Sequence, residues 1–592
     1  MSEPLAGKRV GSGRVYGLLA LVVLGGGLAV GGSLFRNRHS DPPKNTQPEK
    51  EPTVGSIPLF GTWPQGKKPD AAIVLSGQSF GHLQPCGCSR PQQGGLERRA
   101  NFISNLKAKG WDVAGLDLGD VYPARHPYGT SGIRTSPDQA KEKFRFSMLS
   151  LKDMGYLAVG VGKTEFEAGV LNVLGEYAMQ KEQPPFTFAG NLAGLANGQK
   201  VPREQFFPPI PPGTKPMVGN ADVFAVGGVN VGVAAVVGPS LAKDAVKLDA
   251  MIEFEANPKI LADVVAALAK HPKKPAVNFL LYQGTADEAK LVAEEWPQFD
   301  VILCQAEDPE PPSLPSYHGG KKHPAGKQTM VVQVGHKGRY VGTVGVFNGP
   351  NGAELKYQLV PLTEFYLTPD NAAAVKENKV LGYLEDYAAQ VKSRKFLEKV
   401  QQVPHPAQIQ HAKLNISFVG SDRCVACHQA EAALWKKSQH SHALDTLEKK
   451  ATRPGLRNLD PECAICHTVG LGYNTGFKDE KTTPHLAHVG CESCHGPGSG
   501  HMSAPMNADL ASLQSPWKQK KTDRLPDVAT MEKLTKLNPV ERNEFQLPLE
   551  QKRLVNVVEQ MCRKCHDSEN DPNFDLYKYW PKIAHGPPPA GK

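Results

Sequence analysis

The residues that can do chemistry in this sequence are cysteines followed closely by histidines. A Cys-x-x-Cys-His pattern occurs at Cys424/Cys427/His428, Cys463/Cys466/His467, Cys491/Cys494/His495 and Cys562/Cys565/His566. With 11 Cys and 19 His in 592 residues, chance gives on the order of 0.01 such matches. Two thiols at this spacing add to porphyrin vinyl groups, and the adjacent imidazole becomes the proximal iron ligand, so each copy reads as a c-type haem attachment site. Paired cysteines also make disulfides or zinc sites, but zinc does not demand a histidine directly after each pair. The sequence therefore implies four covalently attached c-type haems. Iron with two imidazoles has no free position and transfers electrons, whereas five-coordinate iron binds a small molecule. The same region holds six further histidines, His440, His442, His485, His488, His501 and His585. Counting alone leaves undecided whether one iron is open.

The elements around these motifs divide the chain. "VYGLLALVVLGGGLAVGGSLF", residues 15–35, carries no charge and is long enough to span a bilayer. Lys8, Arg9 and Arg14 precede it, which places residues 1–14 in the cytoplasm. It reads as an uncleaved transmembrane signal anchor; the alternative is a cleaved signal peptide with an unusually long apolar run and no clear Ala-x-Ala site. Either way the bulk of the chain is exported, the compartment that c-type haem attachment also requires. Residues 36–69, rich in Pro, Lys and Glu, read as a flexible linker. Strand patterns at 71–77, 112–120, 157–162, 223–238, 276–282 and 300–305 alternate with helical ones, which implies a layered α/β domain over 70–365. Thr368 and Pro369 are read as the N-cap and first turn of a connecting helix within 366–414. From 415 to 592 the haem motifs sit in helical or irregular sequence, dense enough that the haems must supply much of the core. The formal charge of +9 is dispersed, with no basic stripe interleaved with aromatics, so nucleic acid is not an expected partner.

"FVGSDRCVACHQAEAALWKKSQHSHA", "VGCESCHGPGSGH" and "YWPKIAHG" resemble the tetrahaem cytochrome c family, whose best-known member accepts electrons from hydroxylamine oxidoreductase. The resemblance covers about residues 415–590. It implies that histidines outside the attachment motifs supply distal ligands: His501, His585, and either His440 or His442. It also implies one five-coordinate haem.

"SGQSFGHLQPCGCSRPQQGGLERRANFI", residues 76–103, resembles the opening of the 5'-nucleotidase branch of calcineurin-like metallophosphatases. "LDLGD", "GYLAVGVGKTEFEAG", "FAGNL" and "VVQVGHKGRYVGTVGV" continue the likeness to about residue 362. The implied fold is an α/β four-layer β-sandwich flanked by helices. Of the family's metal ligands only the bridging aspartate is matched, by Asp120. Gln78, Phe80, Lys163, Thr164 and, in a looser alignment, Tyr282, Ala306 and Asp308 stand where others would be. That set cannot hold two divalent metals, so no metal and no phosphatase activity are expected. Lys163 either brings its ammonium to Asp120 in place of metal charge or is an ordinary surface lysine. The likeness also brings the loops of Cys86, Cys88 and Cys304 together; a disulfide from Cys304 to Cys86 or Cys88 is the expectation, and a three-thiolate metal or redox site the bolder alternative.

Three functions fit. The first is a membrane-anchored exported electron carrier whose inactive α/β domain docks a partner or orients the haems; its partner is a redox protein or a quinone-linked donor. The second is a haem oxidoreductase acting on a small nitrogen or sulfur species at an open iron. The third is a nucleotidase or phosphoesterase with a haem appendage, which the loss of metal ligands disfavours.

Overall fold

The computed structural model describes residues 52–54, 57–86, 89–124, 136–179, 185–208, 216–350, 352–449, 455–520 and 522–585. The apolar segment 15–35 and Cys88 lie outside the described residues. Within them, no helix is long and apolar enough to cross a membrane.

Two six-stranded sheets organise the first domain. The strands are β1 (Ala71–Ser76), β2 (Val113–Asp117), β3 (Tyr156–Gly160), β4 (Phe186–Phe188), β5 (Ala221–Val226), β6 (Val229–Val237), β7 (Val277–Gln283), β8 (Val301–Cys304), β9 (Ser316–His318), β10 (Thr329–Val332), β11 (Tyr340–Gly349) and β12 (Gly352–Pro361). One sheet runs β12-β11-β1-β2-β3-β4, the other β9-β10-β8-β7-β6-β5. β1 to β4 are parallel, and β11 closes antiparallel onto β1. Strand alternation sorts the side chains into layers. Ile73 and Leu75 face Val231, Val233, Phe279 and Leu281 between the sheets. Val74 faces α1 (Leu96–Ala108) and α2 (Pro137–Met154) through Phe102 and Phe144. Ala234, Val236 and Leu280 face the outer helices Asn257–Lys270 and Ala286–Glu295. The order helix, sheet, sheet, helix is the four-layer arrangement expected from sequence. Each fully buried Ile or Leu of the central layer contributes about 1.5–3 kcal/mol.

Two expectations are corrected. The segment read as linker up to residue 69 is packed from Leu59 onward: Leu59 and Trp63 are buried, and Trp63 stacks on Trp111 with centroids 5.5 Å apart. Apolar aromatic surface outweighs the local Pro and Lys content. Thr368 does not cap a helix. Asn371 caps Ala372–Glu377, and Asn378 breaks the run and caps a second helix, α3 (Lys379–Ser393). The Thr368 hydroxyl accepts from Asn101 and Asn378 instead, and α3 packs on α2 rather than spanning between domains.

The C-terminal region is built of short helices and turns, with only isolated bridges at Val403–Tyr473 and Thr468–Ala487 among its described residues. Two small apolar clusters lie there, around Phe418, Leu444, Phe477 and Leu486, and around Trp517, Leu534, Leu554 and Trp580.

Candidate functional site

Each motif is shaped by a helical turn, which puts residues i and i+3 on one side with i+4 beside them. Cys424 lies in Ser421–Val425, Cys463 in Pro461–Ala464, Cys491 opens Cys491–His495, and Cys562 ends Leu549–Cys562. His428 and His566 donate their backbone N–H to the first cysteine of their own motif, at 3.0 and 2.9 Å. Asp460 caps the second turn through Glu462 N–H.

Three motif imidazoles face a second imidazole. Ring centroids are 6.3 Å apart for His428 and His501, 6.1 Å for His566 and His440, and 5.9 Å for His495 and His585. Two imidazoles sharing one metal, with bonds of about 2.0–2.1 Å and roughly 1.2 Å from nitrogen to ring centre, stand about 6.4 Å apart. The donor set thus fits a bis-imidazole iron at three motifs. Partners also fix which nitrogen is free. Nδ1 of His495 lies 2.8 Å from Gln514 O, and Nδ1 of His566 lies 2.7 Å from Asp571 Oδ2, which leaves Nε2 for a metal. Burial lowers the pKa of His440 and His495 to about 4, so both are neutral, as ligation requires.

The second motif differs. His467 directs Nδ1 at Ala443 O, 2.6 Å away, which again frees Nε2. Among the described residues no imidazole ring stacks opposite it. His442, the other reading for a distal ligand, faces His488 at 6.3 Å and no motif histidine. His485 meets none either; its backbone O lies where a Cβ on Gly420 would fall, and Gly420 holds φ +86°.

The motifs are also linked to one another. The Cys424 and Cys491 side chains are neighbours, as are those of Cys466 and Cys565. Cys494 and Cys562 are electrostatic neighbours. The order in space is first, third, fourth, second. Glu492, an unspecified position inside the third motif, ties the first to the third: its buried carboxylate accepts from Val419, Gly420 and Gly498 N–H. Nothing in a motif marks that role, because all three donors are backbone.

In the α/β domain the residues aligned with metal ligands form a hydrogen-bonded plug. Gln78 donates to Ala306 O at 3.1 Å and accepts from Ala306 N–H at 2.7 Å. Asp120 Oδ1 accepts from Thr164 N–H at 2.9 Å, and Gln305 Nε2 lies 3.4 Å from Oδ2. Phe80 packs edge-on to His336, which lies against Ala306 O. Tyr282 is buried beside Asn257, outside this network. Glu165 accepts from Asp120, Val121, Tyr122 and Gly162 N–H. Burial raises the pKa of Asp120 to about 6 and, with Asp120 beside it, that of Glu165 to about 7. Arg99, from the Gly-Gly-Leu-x-Arg-Arg stretch, is buried against Asp117 at 3.7 Å. Lys163 stands half-exposed, 3.9 Å from Glu167, the surface alternative of the two readings. No group of three or more His, Cys, Asp or Glu able to hold a metal occurs among the described residues.

The expected Cys86–Cys304 disulfide is not formed, and both residues keep their thiols. Cys304 is buried in β8 against Val332 O, while Cys86 is drawn to the other domain, where it donates to Asn570 O at 3.6 Å.

Cys86 belongs to an interface that sequence reasoning missed. Lys143 in α2 pairs with Glu462 at 2.5 Å, and Gln139 and Tyr387 both donate to Asp460. Lys337 pairs with Glu569 at 2.5 Å, Gln92 donates to Glu569 O, and Arg457 donates to Cys86 O. The α/β domain thereby grips the segment entering the second motif and the segment leaving the fourth.

Comparison with known proteins divides along the same line. The family described as cytochrome c554 and c-prime matches residues 423–496. Cytochrome c-554 of Nitrosomonas europaea is 37% identical over 91 residues, 14% of this chain and 39% of that protein. The chain therefore spans well under half the length of this curated relative. Similar solved structures include a 5'-nucleotidase precursor from Thermus thermophilus (20% identity, TM-score 0.39, 54% of this chain and 60% of that chain). A sulfate thiohydrolase, SoxB, from Thermus thermophilus is another (14%, 0.39, 56% and 62%). A third is the calcineurin-like phosphoesterase YfkN from Bacillus subtilis (12%, 0.37, 54% and 98%). The sequence likeness to a c-type cytochrome thus falls on the C-terminal region, over residues 423–496.

Proposed function

We propose that this chain is an exported electron carrier with four c-type haems, anchored in the cytoplasmic membrane by residues 15–35, with its bulk on the periplasmic, extracytoplasmic side. The observation that carries the reading is the imidazole pairing: His428 with His501, His495 with His585, and His566 with His440 would each hold an iron from both faces. The thioethers would form at Cys424, Cys427, Cys463, Cys466, Cys491, Cys494, Cys562 and Cys565. Bound haem supplies one-electron transfer at iron; the protein's part is to fix ligand tautomers, exclude water and set the spacing of the four sites. The electron donor or acceptor is a redox protein or a quinone-linked donor.

His467 favours a second reading. With no imidazole opposite it among the described residues, His467 would hold a haem iron from one side only, and such an iron would take a small nitrogen or sulfur species. Electron paramagnetic resonance of the oxidised, haem-loaded protein tests both. Three low-spin signals with a high-spin signal approaching one per chain support a relay ending in an open site; four low-spin signals leave the relay alone.

The α/β domain in this reading is a scaffold without phosphatase activity or divalent metal. Gln78, Phe80 and Thr164 offer no ligand set, and the Gln78 amide is spent on Ala306. Turnover of bis(p-nitrophenyl) phosphate with added manganese, or stoichiometric manganese binding, would overturn that assignment.

A further inference from the structure

The motif histidines differ in what holds them from behind. Nδ1 of His467 meets Ala443 O at 2.6 Å, and Nδ1 of His495 meets Gln514 O at 2.8 Å; both partners are neutral backbone carbonyls. Nδ1 of His566 meets a carboxylate instead, Asp571 Oδ2, at 2.7 Å. Among the described residues no other motif histidine is hydrogen-bonded to an acid. The Asp571 side chain is 9% exposed, so water and salt screen its charge little. The rings of Phe574 and Tyr579 pack on the same imidazole, with centroids 5.0 and 5.7 Å away. Arg563, over the Phe574 ring, is answered by Glu559 at 2.6 Å.

Asp571 is held by its own loop and by the other domain. Asp567 Oδ1 accepts from Glu569 and Asn570 N–H, and Asp571 N–H donates to Asp567 O. Just before Asp571, Gln92 Nε2 donates to Glu569 O at 2.9 Å and Asn570 O at 3.3 Å. Just after it, Asn573 Nδ2 donates to Arg90 O at 2.6 Å. The chain is thus tied on both sides of Asp571 to one loop of the α/β domain.

We infer that Asp571 is a positioning residue for the fourth haem site, that its charged hydrogen bond to His566 lowers the reduction potential there, and that the α/β domain helps set this potential by holding Asp571 in place. A carboxylate that accepts the Nδ1–H makes the imidazole a more basic ligand, which favours ferric over ferrous iron. Reduction adds one electron from the redox donor to the iron; the Nδ1 proton stays between imidazole and carboxylate, and no bond breaks. Because the fourth motif lies between the third and the second, its potential governs how readily an electron reaches the second. The inference rests on the reading that His566 and His440 share an iron.

The test is redox titration of the full haem-loaded chain, followed by Soret absorbance and electron paramagnetic resonance. Wild type is compared with Asp571→Asn and with the double variant Gln92→Ala/Asn573→Ala, and His440→Ala marks the low-spin signal of the fourth site. Asp571→Asn keeps the shape and an oxygen for the Nδ1–H but removes the charge. It shifts the ferric-to-ferrous balance of that signal about tenfold, which is about 59 mV to higher potential for one electron. The g values of the same signal move with it, while haem content stays at wild-type level and the other midpoints move far less. The double variant moves the same midpoint in the same direction by a smaller step. An unmoved midpoint in Asp571→Asn overturns the assignment. Equal shifts at all sites, or loss of haem, make Asp571 a structural residue only and overturn it too. A shift in Asp571→Asn with none in the double variant overturns the part given to the α/β domain. If His440→Ala removes no low-spin signal, the reading of the fourth site itself fails, and this inference with it.

Discussion

Glu492 offers the most direct test of how the haem motifs are held together. Its side chain is buried, at 2% exposure. Oε1 accepts from Val419 N–H at 3.0 Å and Gly498 N–H at 2.7 Å; Oε2 accepts from Val419 N–H at 3.0 Å and Gly420 N–H at 2.7 Å. Glu492→Gln keeps the shape but replaces one oxygen with an NH2, so either Gly420 or Gly498 faces a donor instead of an acceptor. A buried N–H without an acceptor costs about 1–3 kcal/mol, and the surviving bonds lose charge assistance of roughly 1 kcal/mol. The sum is about 3 kcal/mol. With a urea slope of about 2 kcal/mol/M, the unfolding midpoint of the haem region drops by roughly 1.5 M at constant slope. Urea titration of the haem-loaded protein, read by Soret absorbance, measures this. A midpoint within about 0.2 M of wild type would refute the reasoning and make the carboxylate a bystander.

Three other outcomes are expected. His440→Ala converts one low-spin signal to high-spin, whereas His442→Ala leaves the resonance spectrum unchanged; the reverse result would exchange their roles. Asp120 and Glu165 have folded pKa values raised to about 6 and about 7 by burial, so the stability they contribute is complete below about pH 4, near their unfolded values, and is lost as pH rises through about 6 to 7. Asp120→Asn removes one of the two charges and raises the thermal midpoint at about pH 8 by an amount equivalent to about 1 kcal/mol, with no gain at about pH 4; a loss at the higher pH would show that the carboxylate is needed. Lys143→Met with Glu462→Gln in a double-mutant cycle gives a coupling of about 1 kcal/mol, discounted because the Glu462 side chain is 35% exposed, measured as protection of the junction from limited proteolysis. Zero coupling would mean that the pair does not hold the domains.

Local chemistry was legible in the sequence and long-range chemistry was not. The Cys-x-x-Cys-His patterns are local, five residues each, so spacing alone is enough to propose haem attachment from them. The strands at 71–77, 112–120 and 276–282 announced themselves as apolar runs because both faces of their sheets are covered. The run at 223–238 was read as a single strand; Gly227 and Gly228, at φ +56° and +85°, fold it into the β5–β6 hairpin. Thr368 and Asn371 are both good caps by residue type, and the choice fell to Asn371 because Thr368 is engaged by Asn101 and Asn378. Between His440 and His442 sequence had no means to choose: the difference is which ring meets His566, more than 120 residues away. The interface was invisible for the same reason. Asp460 and Glu462 look like ordinary helix-start acids, and only the fold brings Gln139, Lys143 and Tyr387 to them.

The grip on the second motif also constrains how the protein is made. Cys463 lies against the interface, with Cys86 among the charges that act on it and Arg457 bonded across to Cys86 O. That thiol is half-buried in the wall of the cavity between the domains. The α/β domain comes first along the chain and can complete its sheets before the cysteines arrive. If the second motif carries haem as proposed, its addition at Cys463 and Cys466 would be expected before the two domains close on each other, which makes docking a late step of maturation.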